Sequence, residues 1–136
     1  MSRRMARETA MQAYYQMEIH KEYVSGITGK YLEGVIDNDK DKKYIDEMID
    51  IFIANKETID KLINDNLKGW DIDRLSKIDL SILRLGIAEM LFRDDIPLKV
   101  SINEAIELGK RYGTDDSSGF ISGLLGSVVN KEALDE

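Results

Sequence analysis

The sequence predicts an all-α protein of about six or seven helices. Apolar residues recur at spacings of three and four along almost all of its 136 residues, which is the periodicity of amphipathic helices. No stretch of useful length alternates polar and apolar residues as a half-buried strand does. Proline occurs once, at Pro97, and no Gly/Ser-rich linker divides the chain. We therefore expect a single helical domain over residues 1–136.

Three helices are predicted in the N-terminal half. The first covers about residues 2–21. Gly26 and Gly29 then interrupt the pattern, and a short helix is expected over 30–36. After a polar, turn-like run, a long amphipathic helix is expected over 42–67.

The C-terminal half predicts three further helices. Gly69 is expected to cap the long helix, because glycine adopts the left-handed conformation without a steric penalty. The next helix is expected over 70–93. Ser101 and Glu104 have the spacing of a capping box, in which each side chain satisfies a free backbone N–H, so a helix is expected to start there. The last helix is expected to start within 115–118, where Asp and Ser side chains suit a cap.

Composition limits the classes of function. The chain is 43% apolar and 33% charged, which is ordinary for a globular protein. Cysteine is absent, which excludes disulfides, thiolate nucleophiles and zinc–thiolate sites. No apolar run approaches the roughly 20 residues needed to cross a bilayer, and polar residues interrupt the segment after the basic N-terminus, unlike a signal peptide. We expect a cytoplasmic protein that does not enter a membrane.

Residues suited to catalysis are scarce. His20 is the only histidine and is expected to be exposed near a helix end. No glycine-rich dinucleotide loop or Walker-type loop is present. The pairs Asp94/Asp95 and Asp115/Asp116 lie in predicted loops, where aspartates commonly cap helices or face water. The sequence therefore predicts no enzyme, no cofactor and no metal site.

Charge is distributed unevenly. The net charge is −7, but residues 33–73 hold 12 acidic and 6 basic residues and account for most of it. Arg3, Arg4 and Arg7 lie in the first seven residues, which contain no acid. This distribution argues against wholesale coating of duplex nucleic acid and leaves room for a small basic site.

The first predicted helix carries residue types suited to RNA. Arg7 follows Arg3 and Arg4 by four and three residues, so it shares a helix face with both. A guanidinium group donates in a planar fork that matches phosphate oxygens. Gln12 and Tyr15 follow on the same helix, where an amide can pair with a base edge and a phenol ring can stack on a base. From residue types alone, a solvated helix with Tyr15 in the core is the more common arrangement.

The C-terminal third is more specific. Residues 82–85 read Ile-Leu-Arg-Leu, and residues 96–108 contain Val-Ser-Ile-Asn-Glu-Ala-Ile-Glu-Leu after an Ile-Pro turn. Together with the Lys-Arg-Tyr-Gly of 110–113 and the helix start at 117–125, these segments closely resemble the transcription antitermination factor NusB family. The opening at 3–15 resembles the arginine-rich start of the same family.

The resemblance implies two small three-helix bundles packed together and a non-catalytic adaptor. It implies binding of single-stranded boxA RNA together with ribosomal protein NusE, in a complex that helps RNA polymerase resist termination on ribosomal RNA operons. Asp79 matches an acidic position on the family's NusE-facing surface. The RNA surface implied by matching positions comprises Arg3, Arg4, Arg7, Gln12, Tyr15, Asp116 and Phe120.

The last helix departs from the family pattern. Ser122 and Gly126 stand where the family commonly has Asn and Asp, and Gly119 replaces what is often a longer polar residue. These changes predict that RNA contacts or helix capping in the last helix differ in detail from those of the family. Phe120 heads an apolar stripe, which is as typical of core as of a binding site, and Trp70 is assigned to packing.

Two alternatives stay open. The same helical fold occurs fused to RNA methyltransferases, but 136 residues leave no room for such a domain unless the chain is a fragment. A homodimer that does not bind nucleic acid is the second alternative, because self-association could cover the arginines.

Overall fold

The structure is a computed structural model that describes residues 3–31 and 39–134. Every secondary-structure element in these residues is a helix. No β-strand occurs among these residues, which confirms the predicted all-α class. No helix in this part of the chain is both long enough and apolar enough to span a membrane. In chain order the elements are α1 (Arg3–His20), α2 (Ile27–Tyr31), α3 (Asp39–Asp65), a 3₁₀ helix (Ile72–Arg74), α4 (Lys77–Phe92), α5 (Leu98–Tyr112) and α6 (Ser117–Lys131).

Helix α4 lies at the centre of the fold. Every residue from 80 to 90 is buried, because this helix carries apolar side chains all round rather than on one face. Helices α1 and α3 pack on one part of its surface, and α5 and α6 pack on another. The two groups of three helices, α1–α3 and α4–α6, therefore share one continuous apolar core.

Helix α1 packs closely because its inner face is small. Ala6, Ala10 and Ala13 are fully buried, so the backbone of α1 approaches α3 and α4 without intervening bulky side chains. Tyr14 follows them into the core, where its ring stacks on Phe52 at 4.6 Å between centroids. Its hydroxyl donates to a backbone carbonyl of α3 at 2.6 Å, which satisfies the buried polar group.

Two buried ion pairs join α1 to α4 with opposite polarity. Arg7 on α1 donates to Glu89 on α4 at 2.8 Å, and Arg84 on α4 donates to Glu18 on α1 at 2.8 Å. Arg84 also donates two hydrogen bonds to Asp60 of α3, at 2.8 and 2.9 Å. Because the partners occur in reverse order along the two helices, both pairs form only when α1 and α4 are antiparallel. A shifted register would leave a buried charge unpaired, which is strongly unfavourable.

Helices α5 and α6 approach each other closely at Gly109. A Cβ atom at this position would lie 2.8 Å from Ile121 Cδ1 and 3.4 Å from the Ser118 backbone of α6. Gly86 of α4 leaves similar room for Leu125 of α6. Glycine at these positions therefore sets the spacing of the C-terminal three helices.

Several predicted boundaries are wrong in detail. Helix α2 starts at Ile27, with Gly29 inside it, and most of the predicted span 30–36 lies outside the described residues. Gly69 has the expected positive φ, 81°, but α3 ends at Asp65, so Gly69 turns the following connection and does not cap the helix. Position 70 does not begin α4, which starts only after Ser76 caps it by accepting from a backbone N–H at 3.0 Å.

The predicted capping box is also wrong. Helix α5 begins directly after Pro97, whose fixed φ suits a helix start, so Ser101 and Glu104 lie inside the helix. Ser101 instead donates to Glu89 of α4 at 2.9 Å, and Glu104 accepts from Arg4 of α1. Because the free N–H groups of a helix lie in its first turn, Ser101 and Glu104 are too far along α5 to cap it, and their side chains bind neighbouring helices.

Candidate nucleic-acid interface

Glu89 of α4 holds the N-terminal end of α1 from the buried side of that helix. Its buried carboxylate accepts from Arg7 Nε at 2.8 Å, from Ser101 Oγ at 2.9 Å and from the hydroxyl of Tyr44. Burial, together with the charge of Glu89, raises the pKa of Tyr44 far above its usual value, so the phenol stays protonated and keeps donating. Because these donors belong to α1, α5 and α3, one carboxylate of α4 fixes all three helices.

Arg7 is an internal cation of this cluster. Its side chain is 7% exposed and lies between Glu89, at 2.8 Å, and Glu104, at 3.6 Å. Burial opposes the charged form, but the hydrogen bond and charge of Glu89 outweigh this effect and raise the pKa of Arg7. The free protein therefore presents little of this predicted RNA contact to solvent.

Arg4 is the exposed counterpart of Arg7. Its Nε and Nη2 donate to the two carboxylate oxygens of Glu104 at 3.1 and 2.8 Å, which is the bidentate fork of a guanidinium–carboxylate pair. The hydrogen bond from Arg4 lowers the pKa of Glu104, so this carboxylate stays ionised at neutral pH. The pair joins α1 to α5 across the surface.

A second exposed ion pair joins the same two helices, but here the arginine lies on α5 and the acid on α1. Arg111 of α5 donates to Glu8 of α1 at 2.5 Å, and the hydroxyl of Tyr112 donates to the other oxygen of Glu8 at 2.9 Å. Between the two pairs lies a cavity of about 180 Å³, which we call the α1–α5 pocket. It is lined by Arg4, Arg7, Glu8, Glu104, Glu107, Leu108, Lys110 and Arg111.

The remaining N-terminal residues extend this surface. The Arg3 guanidinium lies over the Tyr44 ring, 4.5 Å from its centroid, on the α3 side of α1. Gln12 and Tyr15 are partly exposed further along α1. The tyrosine that enters the core is Tyr14, so the alternative in which Tyr15 is fully buried is wrong.

A separate aromatic surface lies between α6 and the connection that follows α3. The rings of Trp70 and Phe120 pack at 5.7 Å between centroids, and both remain partly exposed. Added Cβ atoms at Gly119 and Gly123 would meet nothing within 4 Å, so this face of α6 stays open. We call the cavity of about 350 Å³ beside them the α3–α6 groove, lined by Asn66, Leu67, Lys68, Trp70, Gly119, Phe120, Gly123, Leu124 and Ser127.

The remaining predicted site residues lie at helix starts. Asp116 is exposed at the N-cap of α6, but its side chain makes no capping hydrogen bond; Ser117 Oγ instead accepts from the Thr114 backbone at 2.9 Å. Asp79 lies in the first turn of α4, and its Oδ1 is buried without a hydrogen-bond partner among the described residues. A buried carboxylate oxygen of this kind calls for a donor, and residues 3–31 and 39–134 do not provide one.

The acidic pairs considered for catalysis are otherwise engaged or exposed. Asp95 accepts from Arg93 through two hydrogen bonds of 2.9 Å, and this pairing lowers the pKa of Asp95 to about 2. Asp94, Asp115 and Asp116 are exposed. Within residues 3–31 and 39–134, no group of three His, Cys, Asp or Glu side chains is placed to hold a metal ion.

Sequence reasoning missed the acidic half of the α1–α5 pocket. Glu104 was assigned to a cap and Arg111 to a family motif, and Glu8 was given no role in a binding site. The signal available was the helical spacing of Glu104, Glu107 and Arg111, which places them along one side of α5. Nothing local indicates that this side faces α1.

These features define an all-helical domain of two interlocked three-helix groups, with a charged pocket at one helix seam and an aromatic groove at another. The model of the NusB family matches residues 4–130 of the chain. The chain belongs to the NusB family, as its sequence motifs predicted.

Relatives match over nearly their whole length. The transcription antitermination protein NusB of Clostridium novyi is 45% identical over 131 residues, covering 95% of this chain and 98% of that protein. The protein of the same description from Acetivibrio thermocellus is 46% identical over 134 residues, covering 98% of this chain and 92% of that protein.

Solved structures share the fold. The NusB of T. maritima superposes with a TM-score of 0.87 at 36% identity, covering 96% of this chain and 92% of that one. A chain from a crystal structure of the antitermination factors NusB and NusE in complex with double-stranded RNA superposes with a TM-score of 0.85 at 26% identity, covering 95% and 96%.

Proposed function

We propose that this chain, acting as one domain over residues 1–136, is a cytoplasmic transcription antitermination factor without catalytic activity. It binds single-stranded boxA RNA of nascent ribosomal transcripts together with ribosomal protein NusE, within the RNA polymerase antitermination complex. The observation that carries this proposal is the cationic edge of α1, held in place by the buried Glu89 cluster in a member of the NusB family. A neighbouring structure containing NusB, NusE and RNA supports the choice of partners.

RNA contacts along α1 divide into two kinds. Arg3 and Arg4 carry guanidinium groups at the surface, where their forks can bind phosphate oxygens. Gln12 and Tyr15 lie further along the helix with partly exposed side chains, suited to a base edge and a base face. Arg7 acts mainly by position, because its buried guanidinium fixes the helix that presents the others.

The α3–α6 groove supplies a stacking surface for unpaired bases. An aromatic face accepts any base, and the open glycines of α6 leave room beside Phe120 and Trp70 for a planar ring. Asp116, exposed at the start of α6, borders the same helix end and is proposed to contact RNA through donors of the bases or ribose.

Asp79 is proposed to face NusE. Its buried Oδ1 lacks a donor, and a cationic or N–H-bearing side chain of the partner would satisfy it. The first turn of α4 leads directly into residues 80–90, which are all buried. A partner bound at Asp79 therefore contacts a well-packed part of the fold.

The proposal is tested by titrating fluorescently labelled single-stranded boxA RNA with the protein, with and without NusE, at several salt concentrations. Because the chain carries a net charge of −7 and the exposed Arg4 and Arg111 are paired internally, we expect weak binding by the protein alone and tighter binding with NusE. If NusE leaves the RNA affinity unchanged, the adaptor function is wrong.

The alternatives are addressed by the same samples. The relatives that the chain matches are described as transcription antitermination proteins, which supports the antitermination function over the methyltransferase alternative. Light scattering with and without RNA tests for a homodimer, in which RNA would compete with self-association.

A further inference from the structure

The α1–α5 pocket contains two exposed arginines that are paired reciprocally across one helix seam. Arg4 of α1 binds Glu104 of α5, and Arg111 of α5 binds Glu8 of α1. In each pair the cation is more exposed than the acid: the arginines are 59% and 62% exposed, and the carboxylates 15% and 14%. The arginines thus lie where a ligand from solvent can reach them, while the carboxylates lie deeper in the seam.

We propose that Glu104 and Glu8 occupy the positions of phosphate oxygens and keep the α1–α5 pocket autoinhibited. An RNA backbone phosphate binds there by taking Arg4 and Arg111 away from these carboxylates. This inference rests on the proposed RNA-binding function and deepens it, because it assigns Arg111 as a phosphate ligand and makes the two glutamates limit the affinity.

The geometry of the Arg4 pair supports the exchange. A carboxylate and a phosphate both present two oxygens to the guanidinium fork. Glu104 takes up the Nε and Nη2 of Arg4 at 3.1 and 2.8 Å, which is the edge that a phosphate would use. RNA therefore competes with Glu104 for the same donors.

Each carboxylate keeps a second partner after its arginine leaves, a nearby charge for Glu104 and a hydrogen-bond donor for Glu8. Glu104 lies 3.6 Å from Nη1 of Arg7, which the Glu89 cluster holds in the seam. Glu8 accepts from the hydroxyl of Tyr112 at 2.9 Å. Neither acid is left buried without a partner, so the exchange avoids the large penalty of an unpaired buried charge.

Pocket size and charge also fit a phosphate. The cavity of about 180 Å³ is lined by four cations and three acids. With Glu104 beside Arg7 and Glu8 bound to Tyr112, the exposed cations released for the ligand are Arg4 and Arg111, whereas Lys110 keeps its pair with Glu107. A single backbone phosphate, with the nucleotide on either side left outside, is the ligand class that this arrangement suits.

The test compares Glu104→Gln with Glu107→Gln in titrations of labelled single-stranded boxA RNA. Both changes remove one negative charge from the pocket lining, but Glu107 pairs with Lys110 at 3.4 Å and touches neither exposed arginine. We expect Glu104→Gln to raise RNA affinity about two- to fivefold more than Glu107→Gln, the size of effect expected from releasing one exposed ion pair. The added gain should vanish when Arg4→Ala is combined with Glu104→Gln.

A second pair of variants covers the case in which Glu104→Gln does not fold. Glu8→Gln keeps an acceptor for Tyr112 and releases Arg111, so its gain should vanish in combination with Arg111→Ala. Equal gains in Glu104→Gln and Glu107→Gln, or gains that persist without the arginines, overturn the exchange while leaving RNA binding intact.

A readout without RNA separates this inference from the proposed function. Nuclear magnetic resonance of the arginine Nε–H groups follows titration with inorganic phosphate. The Arg4 signal should respond at lower phosphate concentration in Glu104→Gln than in wild type, even if boxA RNA is not the ligand. The same response in both proteins overturns the inference, and absence of RNA binding by every variant overturns only the RNA function.

Discussion

The α1–α5 pocket and the α3–α6 groove lie at two helix seams and satisfy their binding groups in opposite ways. In the pocket, the exposed arginines Arg4 and Arg111 already hold carboxylates of the chain itself. In the groove, Trp70 and Phe120 contact each other and face open space beside the glycines of α6. A ligand of the pocket must replace internal partners, whereas a ligand of the groove displaces water alone.

This difference separates two contributions to binding. Exchange of one anion for another yields a small net free energy that depends strongly on salt. Stacking on an aromatic ring adds affinity without requiring an existing ion pair to break. We therefore expect the pocket to control the salt dependence and the groove to supply more of the affinity.

The largest expected effect concerns Arg7, the buried cation that pairs with Glu89 and lines the α1–α5 pocket. Arg7→Met should lower the free energy of unfolding by about 3–5 kcal/mol, because Glu89 would remain buried without its charged partner. Arg4→Met is the matched control and should cost about 0–1 kcal/mol, since its pair lies at the surface. Urea unfolding followed by circular dichroism measures both; similar losses would show that the cluster does not anchor α1.

The next effect concerns the groove. Phe120→Ala and Trp70→Ala should each weaken RNA binding by about 1–3 kcal/mol if a base stacks on that ring. The dependence of affinity on salt should stay as in wild type, because no charge changes. Phe92→Ala is the control, since Phe92 is as exposed as Trp70 but lies at the end of α4 outside the groove. Loss of affinity in all three variants would argue against a groove site.

A smaller effect concerns the stability of the fold at acidic pH. Burial alone would raise the pKa of Glu18, but hydrogen bonds from its neighbours, including Arg84, hold it far below its ordinary 4.5. A depressed folded-state pKa stabilises the fold above about pH 4.5, and this stability is lost as pH falls toward the folded pKa. Between pH 7 and pH 4 the loss should be roughly 1 kcal/mol for this one carboxylate.

Glu18→Gln tests this assignment. The variant should be less stable than wild type at pH 7 and should lose less stability on acidification, as measured by urea midpoints at pH 7, 5 and 4. Glu57→Gln, at an exposed position of α3, serves as the control and should keep the wild-type dependence. The groove lining contains no carboxylate, so acid should perturb the α1–α4 seam before it perturbs Trp70 fluorescence.

The smallest effect distinguishes pocket from groove directly. Arg4→Ala should reduce the slope of log affinity against log salt by about one, with only a modest loss of affinity because Arg4 gives up Glu104 on binding. Lys30→Ala removes a similarly exposed cation that pairs with Glu22 on the surface. An equal change in slope for both variants would indicate a general charge effect in place of a defined phosphate contact.

Local patterns predicted the elements better than their contacts. The periodicity of α1 and α3 gave helices close to their observed spans, and the buried positions of α1 follow its small apolar face. The errors occur where a residue has both a local and a distant partner. Ser101 and Glu104 match a capping box in sequence, yet they bind Glu89 and Arg4 on other helices.

The N-terminal arginines show the same limit. The sequence alone does not distinguish Arg4 from Arg7, because both lie in one basic turn and no acidic residue precedes Glu8. The structure makes one an exposed cation and the other a buried one, since only Arg7 points toward Glu89, 82 residues away. Their expected roles differ accordingly, one contacting phosphate and the other positioning α1.

By itself, the sequence determined the helical class, the apolar faces and the family, because periodicity and motif spacing are properties of neighbouring residues. The tertiary structure alone decided which charges are buried, which are exposed and which carboxylates compete with a ligand. These outcomes depend on pairs separated by 80 to more than 100 residues, such as Arg7–Glu89 and Arg111–Glu8. Such pairs exist only once α1 has packed against α4 and α5.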